Sequence, residues 1–384
     1  MTETNTPKKK NKLLSFLLSM LVSLAIGVGL GLLLVLTLKD SGKLDVPFGQ
    51  FMLTMLVNLL LLYLALYLQF IFHEGGHYVF GKLTGYGFIL FRIGSLTWIR
   101  GDEGIKLKRM SLAGTGGQCL MTPPEWNDGV FPYKLYNFGG AIMNLITAVV
   151  FFVIYLFVRR IPYLSFLCLC LTVMGVIVAL LNGIPMRMSG VDNDGNNVVS
   201  LSKSKDARWA FWTQMVLCGD LARGKRLIDA PEEYFTLPEG NWQDNALTAT
   251  IAVLKENRHM DAHEFDKAEE LLHILLDEPN ALAQLHKNML VCDRMYLEAI
   301  GECNPERIAA LDTKEHRQFR KAMKEYITII RTEYALALLH EKNSEKAETL
   351  LLAFEKRCPT HPNPGECVSE RELMDIARQK AETL

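Results

Sequence analysis

The sequence predicts an all-α polytopic membrane protein with about four transmembrane helices, a small β-hairpin insertion and a C-terminal α-helical soluble domain. Long apolar runs occur only in the first half of the 384-residue chain, and a helix needs about 20 apolar residues to cross a bilayer. The second half is charged outside an apolar stripe of helical period. The predicted spans are residues 13–38, 51–80, 133–158 and 161–186.

The charges that flank these spans indicate their orientation. Residues 1–12 contain four lysines, and we predict that they form a cytosolic N-terminus because positive charge is retained inside. The run 13–38 is too long for the core of a signal peptide, so we interpret it as a retained anchor. Four spans return the chain inside, although Arg159 and Arg160 on the outer side break the rule. This predicts a multi-pass protein of a cell membrane, bacterial from its compact architecture, with cytoplasmic N- and C-termini.

Composition restricts the class of partner. The formal net charge is -1, so the charge gives no case for nucleic acid, and the lipid bilayer is the predicted environment of residues 13–200. None of the eight cysteines belongs to a Cys-x-x-Cys pair, and in an inner compartment they should stay reduced. Cys358 and Cys367 would pair only if the tail faced outward. The oligomeric state is left open.

Two segments outside the spans carry structural signals. Residues 86–122 contain strand-like runs at 88–93, 96–99 and 105–108, which predict an amphipathic hairpin at the inner surface, with a generic loop as the alternative. An exposed strand edge there is suited to pair with an unfolded substrate segment. Residues 201–240 are predicted to be a linker or an interfacial segment, in which a Trp-rich stretch forms either an amphipathic helix in the membrane interface or an ordinary core helix.

Residues 241–384 are predicted to form a helical-repeat-like soluble domain. Two passages, 266–272 and 345–351, are similar to each other, and each is followed by a proline. They resemble the second helix of tetratricopeptide repeats, although the full repeat signature is missing. A non-repeating helical bundle is the alternative. Either arrangement is typical of a module that binds a protein partner.

A metal-ligand motif lies at the end of the second predicted span. His73 and His77 are four residues apart, so both imidazoles lie on one helix face and can bind one Zn²⁺. Glu74 between them is placed to act as a general base on water. The alternative is a structural histidine pair, but an unpaired Glu74 at membrane depth would cost about 3 kcal/mol. We therefore predict a zinc site near the inner face of the bilayer.

Two histidines leave a catalytic zinc ion short of a third protein ligand. All other histidines are at His259 or beyond, in the predicted soluble part. Cys168 and Cys170 occur early in the fourth span, at the wrong depth. Asp192 and Asp194 come just after the inner end of that span, at the depth of the histidine pair. Either carboxylate is a candidate ligand, and a plain Asx-rich turn is the alternative for this segment.

The motifs resemble those of the site-2 proteases, a family of polytopic intramembrane zinc metalloproteases. Residues 73–77 are similar to the zinc helix of that family. Residues 138–144, Phe-Gly-Gly-Ala-Ile-Met-Asn, are similar to its Gly-Pro-x-x-Asn element, with Ala141 in place of proline. The resemblance covers about residues 51–200.

A third similar element follows the last predicted span. Asn182 and Pro185 match the family's Asn-x-x-Pro, and Asp194 followed by Gly195 matches its Asp-Gly. The resemblance therefore favours Asp194 as the third ligand. The interval after Pro185 is longer than usual, which keeps Asp192 as the runner-up.

The resemblance implies a zinc metalloendopeptidase with Zn²⁺ as cofactor and Glu74 as the general base for an attacking water. Its substrates would be membrane-spanning or membrane-tethered proteins or peptides, cleaved near the cytosolic face. Asn144 is suited to bind an extended substrate backbone, or else joins neighbouring helices, and Gly140 permits close approach of helices or substrate. The alternatives are a catalytically inactive membrane adaptor that recruits partners through its C-terminal helical domain, and a small ion transporter.

Overall fold

The computed structural model describes most of the chain: residues 31, 46–101, 104–109, 117–188 and 191–383. The predicted cytosolic segment and the first predicted span lie outside the described residues, apart from residue 31, so the count of four spans stays a prediction. Within the described ranges the chain is mostly helical, with three helices of membrane-spanning length and a four-stranded antiparallel sheet. The coarse fold class is therefore confirmed.

Three long apolar helices fall where the sequence predicts spans two to four: α1 (Phe48–Leu83), α2 (Tyr133–Val158) and α3 (Pro162–Gly183). Each is long and apolar enough to cross a bilayer. Helix α3 begins at Pro162, whose fixed φ suits the first helical position. It ends earlier than predicted because Pro185 has no N–H to donate and restricts the residue before it.

The chain divides into two compact units, of which the first takes in Met1–Gln69 and Ile146–Val176. Within this unit the Gln69 side chain is fully buried. Its Nε2 donates to the carbonyl of Leu171 (2.8 Å), and its Oε1 accepts from Thr147 Oγ1 (3.2 Å). An amide left unpaired in apolar surroundings costs several kcal/mol, so these bonds specify how the helix segments of this unit pack.

The second unit takes in Phe70–Leu145 and Ile177–Leu384, and its sheet corrects the predicted hairpin. The region forms four strands: β1 (Gly87–Ile93), β2 (Leu96–Gly101), β3 (Gly104–Arg109) and β4 (Gly117–Thr122). All pair antiparallel in the order β3-β2-β1-β4. The sequence does not predict β4 because it contains few β-branched residues. Burial of Cys119 and Met121 on its inner face stabilises it instead.

The segment 201–240, predicted to be a linker or an interfacial segment, contains helices in the structure. It contains the end of α4 (Asp194–Lys203), all of α5 (Lys205–Ala222) and short 3₁₀ turns. Helix α5 packs in the protein core: Ala207 and Trp212 are buried, and Trp212 Nε1 donates to the Pro124 carbonyl (2.7 Å). Because its indole is used in protein packing, the structure favours the core-helix alternative for this stretch.

Eight further helices follow in the described residues: α6 (Ala246–Asp261), α7 (Phe265–Asp277), α8 (Gln284–Ile300), α9 (Pro305–Leu311), α10 (Lys314–Ala322), α11 (Ile327–Ala335), α12 (Ser344–Arg357) and α13 (Pro364–Thr383). The two similar passages open α7 and α12 in the same way. Ala268 and Ala347 are buried at the same position, and the turns before them contain His263 and Lys342 with positive φ, 57° and 52°. A tetratricopeptide arrangement nevertheless stays a prediction.

Candidate metal centre

The two histidines of the motif lie side by side on α1. An α-helix turns once every 3.6 residues, so side chains four residues apart share a face. His73 and His77 are both buried, and their Nε2 atoms are 3.2 Å apart. The two rings are nearly perpendicular, with an interplanar angle of 87°. Both Nε2 atoms therefore face one common point.

Hydrogen bonds determine which nitrogen of each ring is free. His77 Nδ1 lies 2.9 Å from the Tyr136 carbonyl oxygen, which can only accept, and His73 Nδ1 lies 2.8 Å from Asn144 Oδ1. Both Nδ1 atoms thus donate, and both Nε2 atoms present a lone pair. Bonds of this kind orient metal-binding histidines and raise their basicity. The contribution of Tyr136 cannot be read from the sequence because it is made by the backbone.

Asp194 brings a carboxylate to the same point. Its Oδ2 lies 3.2 Å from His73 Nε2 and 3.4 Å from His77 Nε2. Among the described residues, these three form the group of His, Cys, Asp or Glu side chains that could hold a metal ion. Asp194 is the first residue of α4, where the positive end of the helix dipole stabilises an anionic side chain.

Asn193 holds Asp194 in this position. Its Oδ1 accepts from the Met186 backbone N–H (3.0 Å), and its Nδ2 donates to the carbonyls of Leu181 and Ile184, both at 2.7 Å. It is also the N-cap residue of α4. The role of Asn193 was not predicted from the sequence, although an asparagine directly before a helix start is a recognisable N-cap signal.

The runner-up ligand, Asp192, belongs to a different arrangement. It lies in β6 (Val191–Asp192), which pairs antiparallel with β5 (Arg187–Met188). Its Oδ1 is 3.4 Å from Arg187 Nε, and it is not part of the metal-ligand group. The structure therefore brings Asp194, and not Asp192, to the histidine pair.

The three ligand atoms have the spacing that a tetrahedral zinc ion requires. Ligand atoms about 2.1 Å from a tetrahedral ion are about 3.4 Å from one another. The separations here are 3.2, 3.2 and 3.4 Å. Asp194 Oδ2 is buried without a hydrogen-bond partner, and both Nε2 atoms facing it carry lone pairs. Three electron-pair donors that face one another in this way suit a bound cation.

Glycines allow α1 and α2 to approach closely at the site. A Cβ at Gly140 would lie 2.6 Å from His73 Nδ1 and 2.7 Å from its Nε2. A Cβ at Gly76 would lie 2.7 Å from the carbonyl carbon of Gly139. Gly75, by contrast, has nothing within 4 Å of such an atom. The His73 ring is therefore packed directly on the α2 backbone.

Glu74 lies beside the sheet. A Cβ at Gly117, the first residue of β4, would lie 2.8 Å from Glu74 Cγ and 3.0 Å from its Oε1. The fully buried Arg92 donates from Nη1 to the Gly94 carbonyl (2.9 Å) and from Nη2 to the Gly117 carbonyl (3.4 Å). The side chain of Arg92 thus fixes the start of β4 against the glutamate, a contact that the sequence analysis did not anticipate.

The two predicted substrate-binding residues both contact His73. Asn144 is fully buried and bonded to the imidazole, and Gly140 makes room for the ring. Each is therefore a positioning residue for a candidate ligand. A direct contact of either residue with substrate stays a prediction.

The fold and the site together define a mostly helical protein with three helices able to cross a membrane and a candidate His-His-Asp metal centre. No family model, no curated protein and no solved structure matches this chain. Its function therefore has to be inferred from the chemistry of the site.

Proposed function

We propose that the protein is an intramembrane zinc metalloprotease that hydrolyses peptide bonds of membrane-spanning or membrane-tethered proteins, as the resemblance to the site-2 proteases implies. The observation that carries this proposal is the convergence of His73, His77 and Asp194 on one point, with Glu74 beside them. Structural zinc sites use four protein ligands, whereas catalytic sites use three and keep one position open. Three ligands and a neighbouring carboxylate outside the ligand group favour a catalytic site.

The side chains at the site divide the chemistry among them. His73, His77 and Asp194 would hold Zn²⁺, which when bound lowers the pKa of water to about 7 and polarises a substrate carbonyl. Glu74 takes the proton of the attacking water and passes it to the leaving amine. Asn144 and the Tyr136 carbonyl keep the histidine Nε2 lone pairs directed at the ion.

The edge strand β4 is suited to present the substrate. A helical substrate hides its peptide bonds in internal hydrogen bonds, so the segment to be cut must first become extended. β4 is an outer strand of the sheet, and an extended peptide can add through main-chain hydrogen bonds to the part of this edge that Tyr136, which donates to the Cys119 carbonyl (3.0 Å), leaves uncovered. Because Gly117 of β4 contacts Glu74, a peptide paired there would bring a carbonyl close to the general base.

The depth of the motif supports cleavage near one membrane face. His73 lies about 33 Å along α1 from Phe51 at 1.5 Å per residue, close to the thickness of a hydrocarbon core. The site therefore lies near the end of the span, which is the cytosolic end in the predicted topology. Water and a soluble flank of the substrate reach it more easily there than at the membrane centre.

The decisive experiment compares membranes that contain the wild-type chain with membranes that contain the Glu74→Gln variant. Peptide profiling by mass spectrometry should detect new membrane-protein fragments only with the wild-type chain. Glu239→Gln, an exposed residue outside the metal centre, makes the same chemical change and should cleave like wild type. Cleavage of the same bonds by the Glu74→Gln chain would refute the mechanism.

The same experiment tests the adaptor alternative. An inactive adaptor would leave the fragment profile unchanged in all three membranes, while partners still co-purify through the C-terminal helices. A general base has no use in such a protein, so the presence of Glu74 beside the candidate ligands favours the protease.

A further inference from the structure

A cavity of about 290 Å³ lies within the helical region, away from the candidate metal ligands. Its walls come from helices α5, α6, α8, α11 and α13 and the turn after α5. Leucine and methionine side chains form much of the lining, among them Leu254, Met260 and Leu290. This volume suits one long side chain or a small molecule.

The charged residues that line this cavity are not balanced. They comprise four carboxylates and two guanidinium groups: Asp261, Asp293, Glu366, Glu370, Arg226 and Arg331. Arg331 is buried and already bonds Glu370 (2.8 Å) and Asp293. Arg226 already bonds Asp261 and Glu372, each at 2.7 Å. Neither guanidinium is left to bind an anion, and the lining has an excess of two carboxylates.

A further buried carboxylate stands behind this lining. Glu256 on α6 is 0% exposed, and neither of its carboxylate oxygens has a hydrogen-bond partner. Its electrostatic neighbours are the cavity residues Asp293, Arg331 and Glu370. Burial, followed by the charge of Asp293, raises the pKa of Glu256 well above its ordinary value. A cation bound nearby would therefore stabilise the ionised form of Glu256.

A second cavity lies between the helical region and the sheet. It has a volume of about 500 Å³ and is lined by Gln118 and Leu120 of β4 and by Asp192, two residues before the candidate carboxylate ligand. His286 of α8 lines both cavities, and its Nδ1 is buried without a hydrogen-bond partner. The acidic cavity and the cavity beside β4 thus share one lining residue.

We propose that the acidic cavity binds a lysine or arginine side chain from the soluble flank of the substrate. This inference rests on the proposed protease function and adds a recognition element to it. The aliphatic stem of such a side chain packs on the leucine and methionine walls, while the cationic head meets the excess carboxylates. The flank reaches the cavity from β4 through the second cavity, past His286.

Glu366 is the carboxylate best placed to receive the cation. Its side chain is 37% exposed, and it is not paired with an arginine. Its Oε2 accepts from Asn363 Nδ2 (3.0 Å), and His361 Nδ1 lies 3.9 Å away. Desolvation by the surrounding protein raises the pKa of this partly exposed carboxyl, so a bound cation would also stabilise its ionised form.

The test measures binding in a chain that cannot cleave. The full-length Glu74→Gln protein in detergent is titrated against a fluorescent Gly-Ser peptide that carries two arginines, and against the same peptide with glutamines. Fluorescence anisotropy should detect binding of the arginine peptide alone, weakening as salt rises. Adding Glu366→Gln should weaken binding about fivefold. Adding Glu382→Gln, on an exposed part of α13 outside the cavity, should not.

Equal binding of the two peptides, or equal affinity with and without Glu366→Gln, would overturn the proposal, as would a preference for a peptide that carries glutamates. A competition experiment with free arginine methyl ester avoids any further substitution. The ester should displace the arginine peptide, and failure to displace it would also count against the proposal. In the active chain, Glu366→Gln should raise KM for a substrate with a basic flank and leave kcat unchanged. If the wild-type chain cleaves no substrate while the arginine peptide still binds, the result would refute the protease function and leave the cavity proposal intact.

Discussion

Replacing Gly140 with alanine tests whether the α2 backbone positions His73 for metal binding. The new Cβ would lie 2.6 Å from His73 Nδ1 and 2.7 Å from its Nε2, whereas ordinary contacts are 3.4–4 Å. The imidazole would therefore have to move by roughly 0.7 Å or more. Metal sites hold their ligand distances within about 0.2 Å, so a shift of this size removes Nε2 from its ligand position.

We expect the Gly140→Ala chain to bind zinc about 100-fold more weakly than wild type, the upper end of what loss of ligand orientation costs. The measurement is competition for zinc against a chromophoric chelator, with the full-length chain in detergent and thermal unfolding as a check on folding. Gly75→Ala is the matched control on α1. Its Cβ meets nothing within 4 Å, and alanine favours a helix over glycine by about 1 kcal/mol, so zinc affinity should not change.

Wild-type zinc affinity in the Gly140→Ala chain would show that the ring does not depend on this contact. An equal loss of zinc affinity in Gly75→Ala would show that the effect comes from replacing any glycine near the site with a less flexible residue, and not from the position of His73. Only a loss confined to Gly140 agrees with the geometry.

Two further predictions follow from carboxylates. Asp194→Asn should abolish stoichiometric zinc binding while Asp192→Asn retains it, and elemental analysis of the purified chains checks this; the reverse order would contradict the ligand assignment. Glu256→Gln should stabilise the protein at neutral pH. The pKa of the Glu256 carboxyl is higher in the folded than in the unfolded chain, so the free energy of unfolding falls as pH rises above the unfolded pKa of about 4. The advantage of the variant should grow by up to about 1.4 kcal/mol per pH unit above that value and vanish below it. Thermal unfolding at several pH values measures it, and a gap independent of pH would contradict it.

The histidine motif was predictable because its information is local. A helix period and an apolar flank are enough to infer that His73 and His77 share a face at the end of a span. The information that distinguishes Asp194 from Asp192 as a ligand does not come from neighbouring residues in the sequence. It depends on the hydrogen bonds of Asn193 to the end of α3 and on the pairing of Asp192 with Arg187.

The parts that the sequence did not predict depend on tertiary burial. β4 has a weak strand signal of its own and is held in place by β1 and by the Arg92 side chain. The residues of the acidic cavity look in the sequence like surface charges of helices. Asp293 and Arg331 are instead buried, as is Glu256 behind them, and no period or spacing distinguishes these residues from solvated neighbours.

The three candidate ligands differ in how they are anchored. His73 and His77 lie within one continuous 36-residue helix, whereas Asp194 follows a short ribbon whose Arg187 donates to the Ala281 carbonyl in the helical region (2.7 Å). A movement of that region would accordingly displace the Asp194 carboxylate before it displaced either histidine ring. A displacement of Ala281 would therefore reach the segment that carries Asp194, while the helix that carries both histidines keeps its own hydrogen bonds.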